Sequence, residues 1–176
     1  VQGDAMTLDL PALFAEHFAG MPVVVCANLP YYITSPIIMR LLEGPLPIRS
    51  LTVMVQKEAA VRITAAPGTR ECGAISAAVW YYSTPKLLFP VSRGSFLPAP
   101  AVDSAVIRLQ ELPEDLPPRE DFFAVVRAGF GQRRKTMLNS LSAGLRWEKD
   151  ATRALLTAAG IAENARAEQV TLEQWK

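Results

Sequence analysis

Met21-Pro22-Val23-Val24-Val25-Cys26-Ala27-Asn28-Leu29-Pro30-Tyr31 is an apolar run that ends in a polar, rigid and aromatic tetrapeptide. The unbroken valines over 22–27 predict a buried strand. In an open α/β sheet, ligands gather where strands end at their carboxyl edges, so Asn28-Leu29-Pro30-Tyr31 stands in the right place for chemistry. The Asn28 side-chain amide offers an acceptor oxygen, and Pro30 keeps Leu29 extended and so sets where its carbonyl points. Two acceptors can then converge on one amino group. Tyr31 adds a flat face with a polar tip, suited to stacking on a planar base. Taken alone, the tetrapeptide reads equally as a proline turn whose tyrosine simply packs.

To either side, Pro11 to Phe18 reads as a helix with proline in its first turn, and Val1-Gln2-Gly3-Asp4 as the last residues of a strand, so that the chain opens inside a fold. Ser35-Pro36 opens a second helix through about Glu43, with Ser35 as N-cap. Leu51 to Val55 is the next buried strand, Lys57 to about Ala65 is helical, Pro67-Gly68 marks a loop, and Gly73 to Tyr82 is another helix. Pro85 to Val91 and Ser104 to Leu109 are strands joined by a long proline-bearing loop without a crossover helix, which predicts an antiparallel pair. The stretch Leu112-Pro113-Glu114-Asp115-Leu116-Pro117-Pro118 marks a domain boundary, because prolines without periodicity suit neither helix nor strand. Helices follow over roughly 120–130, 136–145 and 150–159, with a short one near 171–176. The expected organisation is an α/β domain over 1–111, a linker over 112–118 and a small all-α domain over 119–176.

With 176 residues, 50% of them hydrophobic, the chain can bury a substantial core. No apolar stretch reaches bilayer length and the N-terminus lacks the basic-then-apolar pattern of a signal peptide, so a cytosolic protein without membrane partners is expected. Cys26 and Cys72 are far apart and His17 is the sole histidine, which argues against a metal site; both cysteines are expected reduced, the first in a buried strand. A net charge of +1 argues against a uniformly basic nucleic-acid binder but permits a local patch. Arg133-Arg134-Lys135, with Arg127 and Gln132, is the one dense basic cluster, and Thr136 and Asn139 place neutral donors beside it. RNA backbone binding is the better reading of that cluster; a solvated face is the alternative.

The segments Asn28 to Pro36, Val55-Gln56-Lys57-Glu58, Ser95 to Val106 and Phe130-Gly131-Gln132-Arg133-Arg134-Lys135-Thr136 occur in that order, and the tail runs from Gly160-Ile161 through Arg166-Ala167-Glu168. Together they resemble the small-subunit ribosomal RNA adenine dimethyltransferases of the KsgA (RsmA) type over nearly the whole chain. The resemblance implies an α/β fold: the C-terminal part of a class I, Rossmann-like methyltransferase sheet with an antiparallel strand pair, then a small all-α domain. The first strands, the glycine-rich loop and the ribose-binding acid would lie upstream of Val1, so the chain alone is expected to be inactive. The implied activity is methyl transfer from S-adenosylmethionine, without a metal, to two adjacent adenosines, 1518 and 1519 of 16S rRNA, in a hairpin loop. The implied partner is small-subunit rRNA within the immature 30S subunit, met by a monomer during ribosome biogenesis.

The resemblance also assigns roles. Asn28, Leu29, Pro30 and Tyr31 form the catalytic segment. Hydrogen bonds from both amine protons to the Asn28 oxygen and the Leu29 carbonyl would favour a pyramidal nitrogen with its lone pair aimed at the sulfonium methyl, so catalysis rests on positioning and preorganised dipoles. Tyr31 stacks on one face of the target adenine and Phe96, in a loop stiffened by Pro98 and Pro100, on the other; Phe96 as a plug under that loop is the alternative. Asp4 and Ala5, with Asn28, border the adenine of the cofactor, although Asp4 alone would read as a helix cap or a solvated acid. Arg127, Arg133, Arg134 and Lys135 contact RNA. Lys57, Glu58 and Arg62 carry no role beyond matching the family pattern. Two other readings stay open: a macrolide-resistance-type methylase of large-subunit rRNA, and a non-catalytic RNA-binding or ribosome-assembly module.

Overall fold

The computed structural model describes residues 1–110, 117–132 and 134–176. In chain order the elements are α1 (Leu10–Phe18), β1 (Val23–Asn28), α2 (Thr34–Glu43), β2 (Ile48–Gln56), α3 (Lys57–Thr64), α4 (Ala74–Tyr82), β3 (Thr84–Val91), β4 (Ser104–Gln110), α5 (Arg119–Phe130), α6 (Met137–Leu145), α7 (Lys149–Ala158) and α8 (Leu172–Trp175). The chain packs as two compact units, one formed by Val1–Thr64 with Tyr82–Leu112 and the other by Ala65–Tyr81 with Pro113–Lys176.

The first unit is built on a sheet in the order β1-β2-β4-β3. β1 and β2 are parallel, whereas β4 runs antiparallel to both of its neighbours. The antiparallel pair expected from a connection without a crossover helix is present, with β4 inserted between β2 and β3. Leu51, Val53 and Val55 of β2 and Ile107 and Leu109 of β4 are at most 1% exposed, and α3 buries Ala60 and Ile63 against the same strands. Each such side chain contributes about 1.5–3 kcal/mol relative to an exposed one, which makes this layer the core of the unit.

Three local expectations are corrected. β1 alternates: Val23 is buried, whereas Val24 is 64% exposed and Cys26 is exposed. A strand sends successive side chains to opposite faces, so a run of valines has the same composition whether one face or both are covered. Residues 1–4 form no strand; the Thr7 and Leu8 amides instead donate to the Asp4 carbonyl in a turn, each at 3.0 Å. Ser35 is not the cap of α2, which begins one residue earlier at Thr34, with Ile33 in the cap position. A single 3-10 turn over Tyr31–Ile33 leads directly into the helix and displaces the boundary.

The second unit is helical. α5 carries Glu120 and Asp121 in its first turn and Arg127 in its last, the charge order that complements the helix dipole. The Thr136 hydroxyl caps α6 by accepting from the Asn139 amide. α4 joins this unit and not the sheet with which the sequence expectation grouped it. Its Tyr81 ring lies 4.6 Å from Phe122 and 5.2 Å from Phe123 of α5, and the Tyr81 hydroxyl donates to the Pro117 carbonyl at 2.8 Å. The expected linker lies largely outside the described residues, which resume at Pro117.

Candidate functional site

Parallel strands β1 and β2 bring Asn28 and Gln56 to one edge of the sheet, and the antiparallel β4 starts at that same edge. Ser104 pairs with Gln56 on one side and with Val91 of β3 on the other. The carboxyl ends of three strands and the amino end of the fourth therefore converge, and the segments singled out in the sequence from Asn28, Val55 and Ser95 all meet there.

The chain leaving β1 is clamped. The Leu29 amide donates to the Met54 carbonyl at 3.2 Å and the Leu29 side chain is buried, so the residue cannot swing away from the edge. Pro30 is extended, and the Thr34 hydroxyl donates back to the Pro30 carbonyl at 3.1 Å. The Tyr31 hydroxyl meets the Ser104 hydroxyl at 2.7 Å, and Ser104 is fully buried. This tether reaches from the end of β1 past β2 to β4. Among the described residues, the Asn28 side-chain amide and the Leu29 carbonyl have no hydrogen-bond partner, which leaves two acceptor oxygens on a fixed backbone. Such a pair has the chemistry to accept both protons of a primary amine.

Asp4 and Ala5 line a cavity of about 420 Å³ whose other walls include Ala27, Leu29, Pro30 and Ile33. The structure thus brings the two residues of the N-terminal turn beside the exit from β1. One Asp4 carboxylate oxygen accepts from the Met6 amide at 2.8 Å inside the turn; Asp4 caps no helix, since α1 is capped by Asp9. The other Asp4 carboxylate oxygen has no partner among the described residues. The Arg40 guanidinium, on the wall of the same cavity, donates to the Leu8 carbonyl and holds the turn against α2. A mostly apolar pocket of this size with one available carboxylate oxygen fits a planar heterocycle carrying an amino group.

Phe96 follows the 3-10 turn Arg93–Ser95 in the β3–β4 loop and is half-buried. It makes no ring contact with Tyr31. Ser104, Arg93 and Asp103 were not anticipated: each supports the site through a hydrogen bond across the loop or strand, and a lone serine at a strand start carries no periodic signal. Among the described residues, no group of three or more His, Cys, Asp or Glu stands close enough to hold a metal ion.

In the second unit, Arg134 and Lys135 are exposed between α5 and α6, and Arg127 is exposed in the last turn of α5. Arg133 lies outside the described residues. Thr136 and Asn139, expected beside the cluster as neutral phosphate donors, bond to each other at the α6 cap, with the Asn139 amide group donating to the Thr136 hydroxyl at 3.1 Å.

The family described as ribosomal RNA adenine dimethylase matches residues 1–176. Ribosomal RNA small subunit methyltransferase A of Alkaliphilus oremlandii (strain OhILAs) is 50% identical over 179 residues, covering 99% of this chain and 62% of that protein. The protein of the same name from Bacillus thuringiensis (strain Al Hakam) is 43% identical over 182 residues, again with 99% and 62% covered. The chain thus spans about 62% of the length of these curated relatives. Among solved structures, a dimethyladenosine transferase from Plasmodium falciparum shares the fold at a TM-score of 0.80 and 24% identity, covering 99% of this chain and 68% of that one. The 23S rRNA methyltransferase ErmE matches at a TM-score of 0.73 and 28% identity over the same shares.

Proposed function

The chain belongs to the ribosomal RNA adenine dimethylase family, and on that premise we propose that it carries the target-base side of an active site that methylates the exocyclic amines of two adjacent adenosines in a small-subunit rRNA hairpin loop. The observation that supports this most is the pair of unpartnered acceptors, the Asn28 amide oxygen and the Leu29 carbonyl, on a backbone clamped at Met54, Pro30 and Ser104. The methyl donor is S-adenosylmethionine, which supplies an electrophilic methyl on a sulfonium. Asp4, Ala5 and the apolar wall of Leu29 and Pro30 hold the donor's adenine, in a cavity of suitable size and chemistry. Asn28 and Leu29 each accept a proton of the target amine and turn its lone pair out of the ring plane. Tyr31, held by Ser104, presents one face to the target base and Phe96 covers the other. Arg127, Arg133, Arg134 and Lys135 hold the RNA backbone. The substrate is rRNA of the immature 30S subunit in the cytoplasm, and the protein acts as a monomer. Small-subunit rRNA is favoured over large-subunit rRNA because the relatives at 43–50% identity are small-subunit methyltransferases, whereas the large-subunit enzyme matches at 28%.

The test is Asn28→Ala in a protein of the relatives' full length that carries these residues. Methyl transfer to a small-subunit hairpin should fall by about 10²-fold or more, the scale of losing one preorganised polar group in a transition state. RNA affinity should be nearly unchanged, because the amide acts on amine geometry. A near-normal single-turnover rate at saturating RNA would exclude the acceptor mechanism.

A further inference from the structure

The Gln56-Lys57-Glu58 corner is left without a role by this reading, yet it lines a cavity of about 610 Å³ in the first unit. We infer that this cavity is a second nucleotide subsite, which takes the phosphate and base of the residue next to the target adenosine in single-stranded RNA. The inference rests on the reading of Asn28 to Tyr31 as the target-base site.

The cavity is built, not a gap left by a loose loop. The Arg93 amide donates to the Asp103 carboxylate at 3.0 Å, the Arg93 guanidinium to the Ala101 carbonyl at 3.3 Å, and the Lys57 amide to the Asp103 carbonyl at 3.0 Å. These bonds fix the β3–β4 loop above the start of α3. Part of the lining is apolar: Val61 of α3 and Val102 of the loop line the cavity and are 40% and 44% exposed. Of the acids at the rim, Glu58 pairs with Arg62 at 2.8 Å, and one Asp103 carboxylate oxygen accepts from the Arg93 backbone amide, which fixes the carboxylate without neutralising it. The Lys57 ammonium has no carboxylate partner among the described residues, and the Arg93 guanidinium bonds only a carbonyl. Two cations that form no ion pair among the described residues, beside apolar Val61 and Val102, match a phosphate and the face of a base, and the Gln56 amide offers a donor and an acceptor to the base edge. The position fits as well. Asp103, which lines the cavity, immediately precedes Ser104, the residue that tethers Tyr31, so the cavity and the proposed target site lie at the same end of the sheet.

The test uses the 19.2 kDa chain itself, with valine-methyl and side-chain-amide NMR during titration by adenosine and by the trinucleotide ApApA. ApApA should shift the Val61 and Val102 methyl signals and the Asn28 amide, whereas adenosine should shift Asn28 alone. Lys57→Met, at an exposed position, should weaken ApApA binding about tenfold and leave adenosine binding unchanged, as expected for one charge-assisted phosphate contact. Arg93→Lys keeps the cation and should retain most of the affinity. If ApApA shifts Asn28 but neither valine, or if Lys57→Met binds it as tightly as the wild type, the subsite is refuted while the target site stands. If the valines shift and Asn28 does not, the reading of Asn28 fails and, although the cavity takes a nucleotide, the inference that it holds the neighbour of a target adenosine is overturned. If no signal moves, both are wrong.

Discussion

Tyr31 owes its orientation to one hydrogen bond that no sequence pattern announces, the 2.7 Å contact with the buried Ser104 hydroxyl. Ser104→Ala would leave a partly buried phenol without its partner and should lower stability by about 1 kcal/mol, read from urea midpoints. Tyr31→Phe in that background should add almost nothing, because a double-mutant cycle assigns the whole effect to the pair. The two cysteines invite a second test on single residues. Burial pushes the Cys72 thiol up, opposed by its hydrogen bond with Ser76 and reinforced by the charge of Glu168. The fold therefore favours the neutral thiol, and its contribution is fully present below the ordinary thiol value of about 8.5 and is lost as pH rises through the raised value. Unfolding free energy should decline across that alkaline range, and Cys72→Ala should remove the part due to this thiol. Native alkylation should label exposed Cys26 well before buried Cys72.

Elements were legible where local chemistry sets them. The expected helices are present with ends within about two residues, because Asp9, Thr136 and Thr171 supply side-chain caps and prolines mark the starts. Ser35 misled because a hydroxyl before a proline resembles a cap, whereas the preceding 3-10 turn had already opened the helix. Packing between elements was not legible. Gly144 of α6 lies against Ala128 of α5, where an added Cβ would approach the Ala128 side chain to 2.7 Å and its Cα to 3.0 Å. Gly144→Val should therefore destabilise the helical unit by about 1–3 kcal/mol through overpacking, measured by thermal unfolding. Gly73→Ala is the control: a Cβ there meets nothing within 4 Å, and the change should stay within about 0.5 kcal/mol.

Over the full chain a net charge of +1 leaves no general attraction for RNA, so any electrostatic affinity must come from local cations. Replacing Arg127, Arg134 and Lys135 by alanine should flatten the slope of log affinity against log salt by up to about 0.7 for each phosphate no longer neutralised on single-stranded RNA, with cognate and scrambled hairpins affected alike. Filter binding across a salt series measures it; an unchanged slope with selective weakening toward the cognate hairpin would mean that the cluster reads bases. The alternation of strands and helices, the antiparallel return of β4 and the tetrapeptide at a strand end could all be read from sequence, because they depend on period, proline and connection length. The partner of α4, the exposed face of β1, the tether from Tyr31 to Ser104 and the cavity beside Lys57 emerge only once the chain is folded. Each depends on which surfaces meet in space, and a linear pattern specifies what a residue can bury or bond but not which distant residue it will find.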